Sequence, residues 1–308
     1  MREERARCEP IGTQRHVLAE TPAWCAASGA LWWIDVRGPT LFRWDGRAAE
    51  PEAWPLADVV GGAAVADDGR VVVALRDSLA VFDAADATLT PLVRVEPARA
   101  EHRLNELKTD PQGCLWCGSM RDYGAATAGS LYRIDTSLAV RTVRTNITIP
   151  NGMAFTPDGA GMVFVDTGEG VIEAAAWDAV SGLPGTWRPH VAAGVAPGRP
   201  DGDAFDADGC LWSARFGAGC IARFTPEGRL DRLVSLPATQ VTSLAFGGAH
   251  LDTLFVTTGT QRLSAEALRA EPLAGALLAL SVGVRGAPVA PAVLPARPRP
   301  SPVTGVAA

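Results

Sequence analysis

The strongest constraint on this chain is a repeat. A glycine-bearing turn leads into a short apolar run six times: SGALWWIDV (28–36), DDGRVVVAL (67–75), PQGCLWCGSM (111–120), PDGAGMVFVDT (157–167), ADGCLWSARF (207–216) and GGAHLDTLFVTT (247–258). Measured between Trp32, Val72, Leu115, Met162, Leu211 and Leu254, the intervals are 40, 43, 47, 49 and 43 residues. Companion runs ending in turns follow several of them: TLFRWDG (40–46), SLAVFDA (78–84), SLYRIDT (130–136), CIARFTPEG (220–228) and GALLALSV (275–282). A unit of this length holding about four short strands is a propeller blade, and few segments show the 3.6-residue period of a helical solenoid. Six units predict an all-β fold, a six-bladed β-propeller. Ring closure covers each blade's apolar faces with its neighbours.

The expected organisation is an N-terminal extension over 1–13, one propeller domain over 14–290 and a Pro-rich tail over 291–308. QRHVLAE (14–20) is expected to lend a strand to the last blade, and LSAEALRAEP (263–272) to form one helical turn or loop insert.

Charge narrows the partners. A net charge of −6 argues against nucleic acid or an anionic membrane, which call for clustered Lys and Arg. No apolar run approaches the roughly 18 residues of a membrane span, and no signal-like segment follows the N-terminus. A soluble, cytoplasmic chain is expected, a monomer or weak homodimer acting on a small molecule. The six cysteines are spread along the chain, which favours free thiols. Cys114-Leu-Trp-Cys117 lies in a strand-like run where residues three apart face opposite ways, so packed thiols are favoured over a redox or zinc pair. The four histidines lack neighbours at ligand spacing and read as surface or packed residues, His102 standing beside the Arg103–Asn105 segment.

Polar residues near the starts of innermost strands deserve separate weight, because those strands line one channel. The candidates are Glu20 in LAETPAW, Asn105 in HRLNELKTD, Asn151 in IPNGMAF and Asp201 in RPDGDAF, each placed just before an innermost strand. Taken singly, Asn-Gly and Asp-Gly are ordinary turn formers. Recurring at corresponding repeat positions, they suggest a shared site. Carboxylate and amide oxygens suit Ca²⁺, Mg²⁺ or Mn²⁺. The segment DGDAFDADG fails as an EF-hand loop, since Phe205 stands where an oxygen ligand is needed.

The ordered set AETPAW (19–24), LWWIDV, RLNELKTDPQGCLWCGSM (103–120), GSLYRID, IPNGMAFTPDG and PDGDAFDADGCLWSARFGAG (201–219), with TSLAFGG and LFVTTG near the end, resembles the SMP-30/gluconolactonase/LRE family over about residues 14–288. The resemblance implies a propeller with one divalent cation (Ca²⁺, Zn²⁺, Mn²⁺, Mg²⁺ or Fe²⁺) held by Glu20, Asn151 and Asp201. It further implies sugar binding by Arg103, Asn105 and Asp122, and metal-dependent opening of an aldonolactone, with Asp201 assisting deprotonation of water. Two departures stand out: Glu106-Leu107 replaces the family's Asp-Gly, and Asp122, beside Arg121 and Tyr123, replaces its Glu. Two other functions remain open: a calcium-binding regulatory propeller without relevant catalysis, and a metal-dependent hydrolase of another ester.

Overall fold

The computed structural model describes residues 2–97, 99–124 and 126–296. Six antiparallel sheets follow one another along the chain. The first four blades begin with innermost strands Ala19–Cys25, Gly62–Val65, His102–Thr109 and Pro150–Phe155. The fifth and sixth begin with Arg199–Phe205 and Val241–Gly247. These first strands meet around the ring axis. The six runs recognised in the sequence are the second strands, from Ala30–Asp35 to Thr253–Thr258.

Alternation within each strand feeds two different interfaces. Trp32 packs with Val71, Val73 and Phe82 between blades one and two, whereas its neighbour Trp33 faces Phe255 and Leu277 between blades six and one. Likewise Leu115 and Cys117 face blade two while Trp116 faces Met162 and Phe164 of blade four. The apolar interior is thus six seams, one between each pair of neighbouring blades. Each wholly buried Val, Leu or Ile contributes about 1.5–3 kcal/mol through lost apolar surface.

Polar turns anchor the seams. In blades three and five, Asp110 and Asp206 are wholly buried. Asp110 accepts the Gln112 and Cys114 backbone N–H groups, the Trp116 indole at 3.0 Å and the Arg133 guanidinium. Asp206 repeats the pattern with Asp208, Cys210, Trp212 and Arg223. All six cysteines are free, and Arg133 Nη2 donates to Cys114 Sγ at 3.0 Å. His16 and His102 are packed in the interior.

The ends of the chain close the ring differently from expectation. The fourth strand of blade six is Glu9–Ile11, paired antiparallel with Leu277–Leu280, and not the segment 14–20. That segment has to cross from the rim to the axis, where Ala19 already starts blade one. Before Ala19 it forms no strand of blade six, meeting that blade at the isolated bridge Leu18↔Gly259 and through hydrogen bonds such as His16 N–H to Gly275 O. Residues set apart as an N-terminal extension therefore belong to the sheets: Arg2–Arg5 also runs parallel to the outer strand of blade five. At the other end Ala292 bridges Ala66, and Val293 N–H donates to Gly113 O. The rest of the Pro-rich tail, 297–308, lies outside the described residues. The predicted helical turn is Ala265–Ala270, capped by Ser264, whose hydroxyl accepts from Ala267 N–H. Among the described residues no helix is long and apolar enough to cross a membrane.

Candidate functional site

Inner strands run away from one end of the channel, and second strands run back to it. Residues at the starts of the former and just past the ends of the latter therefore share that end. Glu20, Asn105, Asn151 and Asp201 were expected before the inner strands. They lie inside them instead, at breaks in strand pairing: between Glu20 and Ala23, Asn105 and Lys108, Asn151 and Ala154, and Pro200 and Asp203. A bulge inserts an unpaired residue and re-aims its neighbours. After three of the polar residues the chain turns left-handed, at Thr21 (φ 44°), Glu106 (φ 61°) and Gly152 (φ 51°).

Glycine permits the convergence. A Cβ on Gly152 would stand 2.6 Å from Asp203 Oδ2, and one on Gly61 would stand 2.0 Å from Leu104 O. Blade two, with glycines at 61 and 62, lets the bulge of blade three approach and reaches the site only through Arg76, 3.9 Å from Asp122 Oδ2.

The structure brings all six expected residues into one connected group, all buried except the partly exposed Asp122. Asp122 accepts from Arg103 Nε at 2.9 Å, and Arg103 Nη1 donates to Asn105 Oδ1. Asn105 Nδ2 in turn donates to Asn151 Oδ1 at 2.7 Å and to Pro150 O. Asn151 Nδ2 donates to Thr167 Oγ1 at 2.9 Å, which leaves the amide oxygen as the end turned toward Asn105. Glu20 and Asp201 join through charge. Burial, and next the charge of Glu106, push the Glu20 carboxyl up to about 8. Burial first, then Glu20, Glu106 and Asp203, hold Asp201 well above the usual carboxylate range. Burial pushes Asp203 up to about 7, and burial and the neighbouring Arg37 bring Arg103 down to about 10.

Several members escaped the sequence reading. Arg37, just past the second strand of blade one, donates to Asp122 Oδ1 at 2.7 Å and lies over the Tyr123 ring, 4.4 Å from its centroid. Buried Glu106 and Asp203 and the half-buried Lys108 complete the floor, with Lys108 Nζ 3.0 Å from Glu106 Oε1. Acids directly after Asn105 and two residues after Asp201, at 106 and 203, were the available signal. Arg37 had none beyond its place after a second strand.

The donor set fits a divalent cation. Among the described residues no three His, Cys, Asp or Glu side chains form a ready cage, so a ligand set here needs the Asn151 amide as its third member. Asp201 Oδ1 is buried without a hydrogen-bond partner. Four buried carboxylates, Glu20, Glu106, Asp201 and Asp203, face two cationic side chains, Lys108 and Arg215, while Arg103 is matched by Asp122. A hard divalent ion is the partner that such crowded carboxylate oxygens suit. Buried charge without such compensation is costly.

Fold and site together define a class: six-bladed propellers that gather carboxylate and amide oxygens at one end of the central channel. Residues 18–260 match the SMP-30/Gluconolactonase/LRE-like region, and the chain belongs to that family. It is 34% identical to a 6-deoxy-6-sulfogluconolactonase of Pseudomonas putida, over 89% of this chain and 94% of that protein. It is 32% identical to a pentonolactonase of Haloferax volcanii, over 88% of this chain and 93% of the relative. Among solved structures, a calcium-binding regucalcin from Agrobacterium tumefaciens superposes with a TM-score of 0.89 at 27% identity, covering 96% of this chain and 100% of that one.

Proposed function

We propose that this protein is a carboxylic ester hydrolase that opens sugar lactones to aldonic acids with the help of one divalent cation. The observation that carries the reading is the buried set of oxygens from Glu20, Asn151 and Asp201, with Asp201 Oδ1 unpartnered, in a chain whose relatives are named lactonases.

Glu20, Asn151 and Asp201 hold the ion. When bound, it supplies Lewis-acid polarisation of the lactone carbonyl. Asp201 Oδ1, free of any protein donor, takes the proton from the water whose oxygen attacks the carbonyl carbon. As the ring C–O bond breaks, that proton passes to the departing ring oxygen, which becomes a hydroxyl, and the carbonyl carbon becomes a carboxylic acid group that releases the water's second proton to solvent as a carboxylate. Arg103, Asn105 and Asp122 hold the sugar hydroxyls in line for attack. Arg37 keeps Asp122 in place through two hydrogen bonds.

A pH-stat panel of glucono-, galactono-, xylono- and arabinono-lactones, run with Ca²⁺, Zn²⁺, Mn²⁺, Mg²⁺ or Fe²⁺, tests the reading. Acid release that EDTA abolishes is expected, and Asp201→Asn should lower kcat by about 10²–10⁴-fold. Likeness to a calcium-binding regucalcin favours a second reading, a cation-binding regulator. Cation uptake without turnover of any lactone would select it.

A further inference from the structure

Tyr123 has no part in the lactonase scheme, yet among the described residues it is the one aromatic side chain in the set of large apolar side chains left exposed, at 72%. It follows Asp122 on the turn that leaves the second strand of blade three, Leu115–Arg121, at the end of the channel where the site lies. Burial does not hold this ring in place. Its partner is Arg37, whose guanidinium carbon lies 4.4 Å from the ring centroid.

Arg37 is itself fixed from three directions. Nη1 donates to Asp122 Oδ1 at 2.7 Å, Nη2 to Asp122 O at 3.0 Å, and Nε to Gln261 Oε1 at 3.1 Å, just past the second strand of blade six. A guanidinium tied along its edges has its flat faces left for stacking, and Tyr123 covers one of them. From Arg37 the contacts continue through Asp122 to Arg103 Nε at 2.9 Å, and Arg103 donates to Asn105. Tyr123 thus adjoins Asp122 along the chain and reaches it again through Arg37, while the ring face turned away from Arg37 stays open at the rim of the site.

A sugar lactone carries hydroxyls around its edge and C–H bonds on its face. Hydrogen-bonding side chains answer the first, and the electron-rich face of an aromatic ring answers the second. Tyrosine supplies that face as a rigid surface with two torsions to order. We propose that Tyr123 is a substrate-binding residue, its open face stacking on the C–H face of the lactone whose hydroxyls Arg103, Asn105 and Asp122 hold. The inference rests on the lactonase reading above.

Steady-state kinetics test it, on whichever lactone of the panel the unaltered, cation-loaded protein opens fastest. Tyr123→Ala is expected to raise KM by about 10-fold, equivalent to about 1.4 kcal/mol of binding, and to leave kcat unchanged. Tyr123→Phe, which keeps the ring and loses the hydroxyl, should retain the original KM. An unchanged KM in Tyr123→Ala overturns the assignment and leaves the lactonase reading intact. So does a fall in kcat alone, which places the ring's role in bracing Arg37 against Asp122. A KM raised equally in Tyr123→Phe moves the contact to the hydroxyl and overturns the stacking. An unaltered protein that opens no lactone of the panel overturns both readings.

Discussion

Glu20 and Asp203 show what burial does to an acid. Without a cation Glu20 holds its proton up to about 8 against an ordinary 4.5, and Asp203 up to about 7 against 3.8, burial being the first cause for both. A proton held more tightly in the folded chain than in the unfolded one favours folding most below the unfolded value. That contribution drains away as pH rises to the folded value. EDTA-treated protein should therefore lose melting temperature steadily from the ordinary 4.5 up to about 8. Saturating cation should flatten the slope, because the ion replaces the proton as the partner of these charges. Thermal melts across that range check this, and a metal-free protein that gains stability toward pH 8 would contradict the burial of these acids.

At the level of the strand, the bulges and their glycines make the site. Gly152 sits at φ +51°, and a methyl there would stand 2.4 Å from Val165 Cγ2 and 2.6 Å from Asp203 Oδ2. Gly159, in the next turn, has φ +67° but nothing within 4 Å of its would-be Cβ. Alanine at either position bears the backbone strain, about 1–3 kcal/mol. Only Gly152→Ala adds crowding against a channel acid. Gly152→Ala should thus lower the melting temperature by several degrees more than Gly159→Ala, and should weaken Mn²⁺ binding where Gly159→Ala does not. Calorimetry on the two variants, with and without Mn²⁺, reads both effects. The same elements show what local pattern reveals: the Asp-Gly turns and apolar runs mark the second strands, because turn chemistry and period-two alternation act over a few residues. They do not mark the bulges, since an unpaired residue is defined by the strand opposite, so the polar residues were expected outside the inner strands that contain them.

For the whole molecule, closure is shared between the two ends of the chain. Glu9–Ile11 completes blade six, and Arg2–Arg5 lies along blade five. At the closing seam, Thr242 Oγ1 of blade six donates to Ala19 O of blade one at 2.6 Å. Removing residues 1–12 should expose the edge of Leu277–Leu280 and strip Ile11 from the seam between blades six and one. A lower melting temperature and concentration-dependent association in size-exclusion chromatography are expected. A truncated chain that melts as the full one does would show that the axial contacts suffice.

The sequence by itself determined the repeat, the number of blades and the kinds of oxygen-bearing side chain near their inner strands. Those features arise from forces between residues close along the chain. Only the tertiary structure decided that Arg37 fixes Asp122, that Glu106 and Asp203 share the floor with Glu20 and Asp201, and that the first dozen residues supply outer strands. Each of these depends on elements far apart in the chain meeting across the ring, where burial strips away water and makes the balance of their charges count.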